Sequence, residues 1–130
     1  MSRRLNVTDR STGIRYLIDT GADVSVIPRK NCQGIRTPYD LQLTAANGST
    51  IRTYGQVTMV VNIGLRRDFR WRMIVADVPQ PILGADFLAT FGLLVDVGRK
   101  KVLDRTTSLS VDGIASRDQE VDSIRLVSGN

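Results

Sequence analysis

The chain has 130 residues, enough for one domain with a core of its own, and its 42% hydrophobic and 24% charged content is that of an ordinary globular protein. It contains no histidine and a single cysteine, Cys32, which excludes Ser-His-Asp and Cys-His catalysis, an internal disulfide and most zinc and iron sites. The net charge of +5 admits a nucleic-acid partner, but the arginines are scattered and not interleaved with stacking aromatics, so a solvated basic surface is expected and nucleic-acid binding is not.

Any catalysis must therefore rest on carboxylates, hydroxyls, lysines or backbone. With aromatics at 5%, the core is expected to be aliphatic. No apolar run approaches the roughly 18 residues of a membrane span. Met-Ser-Arg-Arg opens the sequence without the apolar stretch of a signal peptide. The expected location is intracellular, in the cytoplasm, with no membrane partner.

Taken in chain order, Ser11-Thr12-Gly13 is a turn that leads into a strand from Ile14 to Ile18. That strand runs directly into Asp19-Thr20-Gly21. The strand would anchor the turn in the core, Thr20 offers a hydroxyl that can fasten it, and Gly21 lets a ligand approach the backbone closely. Two carboxylates facing each other in a cleft share one proton, so the pair can take a proton from water while giving one to a peptide carbonyl. Asp-Thr-Gly alone is a weak motif, equally readable as a β-turn, but the apolar lead-in and the following Ala22 favour a catalytic carboxylate.

Further along, Val57 to Ile63 and Phe69 to Val75 place apolar residues at alternate positions, with Thr58, Asn62, Arg70 and Arg72 on the other face. Both read as half-buried strands joined by a hairpin loop at 64–68. One stretch looks helical: Asp86 to Phe91 puts Phe87, Leu88 and Phe91 on one side, with Asp86 at the N-terminal end and Gly92 as the stop. Leu93 to Val97 and Lys101 to Asp104 flank a second hairpin turn at 98–100.

From about Thr106 the sequence turns rich in Ser, Asp and Gly. It is expected to be a flexible tail or linker over 106–130, following a domain of residues 1–105; Ile124 to Val127 could instead add a strand. Cys32 reads as a buried or partly buried thiol without a role.

Three segments together resemble the retropepsin family, the homodimeric aspartic proteases of retroviruses and LTR retrotransposons, and look most like its Ty3/gypsy-type members. They are Leu17-Ile18-Asp19-Thr20-Gly21-Ala22-Asp23, then Leu43 to Ile51 where the family has its flap, then Pro81-Ile82-Leu83-Gly84-Ala85-Asp86-Phe87-Leu88 before the family's single helix. Their order and spacing agree over about residues 5–97. The resemblance implies an all-β, closed barrel-like domain with one short helix, functional as a C2 homodimer, acting on a Gag-Pol-like polyprotein without metal or cofactor, and consistent with a virus-like particle context.

It also implies roles. Asp19 would be the catalytic carboxylate, Thr20 would bond to its mate across the dimer, and Gly21 would offer its carbonyl to the substrate. Ala22 and Asp23 would line the cleft, Val26, Pro79, Gln80 and Ile82 would shape side-chain pockets, and Ala45, Ala46, Asn47, Gly48 and Ser49 would form the flap tip. Two departures stand out. Many retroviral members carry an arginine where this chain has Ala85, leaving Arg15 or Arg29 as candidate partners for Asp23. The flap has one glycine, Gly48, which implies a stiffer tip or a different meeting with the substrate.

A second apolar-Asp-x-Gly segment, Leu94-Val95-Asp96-Val97-Gly98, is a tempting internal partner for Asp19. Val97 has no hydroxyl to lock a catalytic turn, no flap-like segment accompanies it, and 32 residues after Gly98 are too few for another lobe. Asp96 is therefore expected to be structural, on a strand at the dimer interface, and the second carboxylate to be Asp19 of another copy. The alternatives are a retropepsin-like host-cell protein acting mainly as a binding or dimerisation module, or as a specialised cellular protease, as in ubiquitin-shuttle proteins, and a basic β-barrel that binds nucleic acid.

Overall fold

The structure, a computed structural model, describes residues 4–34, 36–115 and 124–127. Twelve strands and one α-helix follow in order: β1 (Arg4–Thr8), β2 (Arg15–Asp19), β3 (Val26–Ile27), β4 (Tyr39–Ala45), β5 (Thr50–Val61), β6 (Phe69–Ala76), β7 (Ile82–Leu83), α1 (Ala85–Phe91), β8 (Leu93–Asp96), β9 (Lys101–Asp104), β10 (Ser110–Asp112), β11 (Ile114–Ala115) and β12 (Ile124–Val127). Nine of the strands form one sheet in the order β11-β1-β2-β7-β3-β6-β5-β4-β12, and β10-β9-β8 form another. The all-β expectation holds, but not the closed barrel: β11 and β12 end the large sheet and do not pair with each other. The two-residue strands β3 and β7 pair antiparallel with each other and carry parallel ladders to β6 and β2.

Local chemistry explains most of the elements. The β1–β2 turn is fixed by Asp9, whose Oδ1 accepts from the Ser11 amide at 2.7 Å and the Thr12 amide at 3.2 Å. In β5 the register against β6 shifts between Thr53 and Gln56, and Gly55, at φ +89°, supplies the backbone that this bulge requires. Beyond the bulge, Val57, Met59 and Val61 lie on the more buried face and Thr58 and Val60 on the exposed one, as the alternation predicts. Helix α1 ends as expected, with Gly92 in the left-handed conformation at φ +66°.

The core is aliphatic at large, with one aromatic knot that reaches from the core to its partly buried edge. All three phenylalanines and the one tryptophan converge: Phe69 and Phe91 meet edge-on at 4.9 Å between ring centroids, Phe87 and Phe91 at 5.0 Å, and Trp71 and Phe91 at 5.7 Å. Few aromatics therefore still build a knot, because β6 and α1 each contribute two to one spot. A second cluster gathers Leu17, Ala22, Val26, Leu43, Ile74, Ile82 and Ile124 around the loop that follows β2.

The expected flexible tail is corrected where it is described. Residues 110–112, 114–115 and 124–127 are strands, pairing with β9, β1 and β4 respectively. The strand that Ile124 to Val127 could add is present, whereas residues 110–112 and 114–115, two or three residues each, leave no alternation long enough to detect in sequence. Among the described residues, no helix is long and apolar enough to cross a membrane.

Candidate active site

Asp19 is the last residue of β2, a strand held between β1 and β7, and it is only 2% exposed. Its Oδ1 accepts from the Gly21 amide at 2.9 Å, and its carbonyl accepts from the Ala22 amide at 3.1 Å. The turn thus presents the carboxylate by its own backbone, an arrangement that a strand entering from the core makes rigid. Thr20 and Gly21 are exposed, and Ala22 is buried. Thr20 stands at the edge of an apolar groove of about 720 Å³ that continues along Ala85, Leu88, Ala89 and Leu93 to Val97. Neighbouring Tyr16 is pushed up to about 12, first by burial and then by the charge of Asp9, so it stays protonated and neutral.

The loop after Asp19 is fastened to the start of α1 by contacts the sequence did not reveal. Ser25 Oγ donates to Asp86 Oδ1 at 2.7 Å and accepts from the Gly84 amide at 2.9 Å, and the Ser25 amide donates to Asp86 Oδ2 at 3.1 Å. Trp71 Nε1 donates to the same Oδ2 at 3.4 Å, and the Ala85 amide donates to the Ala22 carbonyl at 2.7 Å. A Cβ on Gly84 would lie 2.7 Å from the carbonyl oxygens of both Ala22 and Val24, so only glycine allows this approach. Asp86, expected to act through its position at the helix end, is thus a bridge across 61 residues of sequence. The signal available beforehand was a Ser and an Asp near two glycine turns, which names no pairing.

The other expected site residues fall into three places. Val26 and Ile82 are fully buried, adjacent in register, and belong with Ala22 to the second core cluster. Ala45, Ala46, Asn47, Gly48 and Ser49 form the β4–β5 hairpin turn, in which Asn47 Oδ1 accepts from the Ser49 amide at 2.9 Å and hydroxyl at 2.7 Å. Gly48 adopts φ +89°, and the Asn47 lock gives the one-glycine tip a defined shape. Pro79 is exposed, and Gln80 is half-buried, its Nε2 donating to Asn6 Oδ1 at 3.2 Å.

Asp23 is exposed, and among the described residues it forms no ion pair. Arg29 instead faces Asp77 at 3.7 Å and stacks over Tyr54 at 4.1 Å. The Asp23 amide, by contrast, donates to the Ile124 carbonyl of β12 at 2.8 Å.

Asp96 has a different occupation. It ends β8, and its Oδ1 accepts from the Arg99 amide at 3.1 Å, closing the β8–β9 turn. Among the described residues, no group of three or more His, Cys, Asp or Glu is gathered where it could hold a metal ion.

An all-β domain with a buried Asp-Thr-Gly carboxylate at a strand end, and a hairpin linked to the loop beyond it, defines the class of retropepsin-like aspartyl protease domains. A family model described as retroviral aspartyl protease matches residues 3–96, and the chain belongs to that family. The Pol polyproteins of equine infectious anemia virus, strain Wyoming and isolate 1369, are 32% identical over 95 residues, 71% of this chain. The chain spans 8% of the length of these curated relatives. Among solved structures, the equine infectious anemia virus protease complexed with the inhibitor HBY-793 aligns at a TM-score of 0.52 and 29% identity, covering 71% of this chain and 89% of that one. The retroviral protease-like domain of Ddi1 from Leishmania major aligns at a TM-score of 0.65 over 91% of this chain and 98% of that one; at 16% identity it speaks for the fold alone.

Proposed function

We propose that the domain is an aspartic endopeptidase whose active site forms from Asp19 of two copies related by a two-fold axis. The observation that carries this reading is the Asp19 turn itself, a nearly buried carboxylate held by the Gly21 amide at the end of an interior strand. One such turn suffices in a C2 dimer, because a two-fold interface sets a patch against its own twin. The apolar groove beside Thr20, with Leu94 52% exposed along it, supplies surface for that twin to cover.

In the proposed reaction, the two Asp19 carboxylates hold one proton between them, and their titration belongs to the pair. The ionised carboxylate takes a proton from a bound water as its oxygen attacks the peptide carbonyl carbon. The protonated one gives its proton to the carbonyl oxygen, forming a neutral tetrahedral diol. Return of a proton to the amide nitrogen breaks the C–N bond and leaves a carboxylic acid and an amine. Val26 and Ile82 shape side-chain pockets, and the hairpin tip at Ala46 to Ser49 closes over the substrate. The substrate proposed is a retroelement polyprotein, which the Pol relatives support.

Cleavage of a reporter peptide at mildly acidic pH, followed against protein concentration together with oligomeric state, tests this. Activity should rise with the dimer fraction and vanish in Asp19→Asn. A stable, active monomer would overturn the two-copy site. A dimer that cleaves nothing would favour the binding or dimerisation module of a host protein.

A further inference from the structure

Strand β12 lies where that reading would put a substrate. It adds to the free edge of β4, the first strand of the flap hairpin, in antiparallel register: Ile124 opposite Ala45, Arg125 opposite Thr44, Leu126 opposite Leu43 and Val127 opposite Gln42. On its other side, the Ile124 carbonyl accepts from the Asp23 amide at 2.8 Å, four residues past Asp19. One extended strand therefore bridges the flap hairpin and the carboxylate loop through backbone hydrogen bonds. The Ile124 side chain is 1% exposed and packs in the cluster that holds Ala22, Val26, Leu43, Ile74 and Ile82. Three of those, Ala22, Val26 and Ile82, are residues assigned to the cleft and its pockets.

This is strand addition of the kind by which β-proteins take up extended peptides, with backbone bonds giving affinity and a pocket for one side chain giving selectivity. We propose that residues 124–127 are a built-in occupant of the peptide groove, bound in cis as a substrate-like strand with Ile124 in an apolar subsite. The inference rests on the peptidase reading for its consequence: β12 must leave before a substrate strand can enter. The subsite then prefers an aliphatic side chain, since a lining of Ala, Val, Leu and Ile offers a polar side chain no partner. Being tethered, β12 competes at a high effective concentration, and the apparent affinity for a free peptide is reduced by the fraction of molecules with the groove open.

The test uses the full chain. Ile124→Asp should release β12, which joins the sheet through β4 alone, and should lower KM for a reporter peptide about tenfold or more with kcat unchanged. Ile124→Ala should lie between. In parallel, a fluorescent peptide with the sequence of residues 121–130 is titrated onto the Asp19→Asn forms of each, so that the probe stays whole. It should bind the Ile124→Asp form and not the chain with Ile124. Equal binding to both, no binding to either, or loss of cooperative unfolding in Ile124→Asp would overturn the proposal, the last by making Ile124 a structural core residue. Failure of the two readings is separable. Differential peptide binding without any cleavage removes the peptidase and keeps the occupied groove; cleavage at an unchanged KM without differential binding does the reverse.

Discussion

Two segments of this chain read almost alike, Ile18-Asp19-Thr20-Gly21 and Val95-Asp96-Val97-Gly98, and the structure treats them differently. Locally they are similar: each aspartate ends a strand and turns its Oδ1 to a backbone amide just ahead, Gly21 at 2.9 Å or Arg99 at 3.1 Å. The difference lies in what surrounds them. Asp19 ends an interior strand and its loop is bound to α1 through Ser25, Asp86 and Gly84, whereas the Asp96 side chain is 39% exposed on a hairpin turn and meets Arg99 at 3.8 Å. A turn becomes a candidate site through the frame that holds it, and the short motif is shared by both.

The sharpest way to break the comparison is to remove each carboxylate. Asp19→Asn should lower kcat/KM for peptide cleavage by about 10³-fold or more, with the melting temperature little changed. If Asp96→Asn did the same, the assignment of roles would be reversed.

Next in size is the anchor of the Asp96 hairpin, which is Asp104 and not Asp96. Asp104 is 1% exposed, opposite Leu93 in register, and takes a two-pronged contact from Arg67, 2.9 Å from Nε and 3.0 Å from Nη2. Arg67→Ala should cost about 3 kcal/mol by leaving a buried carboxylate unpaired, a value at the lower end because Arg67 is 32% exposed. Burial pushes the Asp104 carboxyl up, but the Arg67 bonds, the Thr106 amide, the Thr107 hydroxyl and the Arg67 charge outweigh it and hold the group below its ordinary value. This stabilisation is therefore fully present above the ordinary carboxylate value and is lost as pH falls through the lowered one. Acid titration of unfolding should show that loss in the unaltered chain and not in Asp104→Asn.

Smaller effects probe the frame around Asp19. Gly84→Ala should cost about 1–3 kcal/mol in urea unfolding, because the new Cβ meets two backbone carbonyls that cannot move independently. Ser25→Ala should cost about 1–2 kcal/mol, since it removes a hydroxyl bonded to both Asp86 and Gly84, and should lower cleavage as the Asp19 loop loosens. The smallest change belongs to Asp96→Asn, under about 1 kcal/mol, as expected for an exposed turn carboxylate and ion pair.

Legibility differed from element to element for physical reasons. The strand before Asp19, the alternation in β5 and β6, the hairpin around Gly98 and the helix stop at Gly92 were readable because each repeats or punctuates locally. Strands β3 and β7 were not, being two residues each and buried within the sheet. The bulge at Gly55 hid the first part of β5 by shifting its period. Gln80 donates to Asn6, 74 residues away, a pairing no local pattern encodes.

By itself the sequence determined that the chain is mostly β, that it has one carboxylate turn of the Asp-Thr-Gly kind, and that histidine and thiol-metal chemistry are absent. These follow from residue identity and short-range periodicity. Tertiary structure alone decided that Ser25 and Asp86 brace the turn, that Arg67 and Asp104 hold the second hairpin, and that β12 lies between Asp23 and the flap. Each of those joins groups far apart in the chain, and such pairings are selected by burial and geometry, which no single stretch of sequence contains.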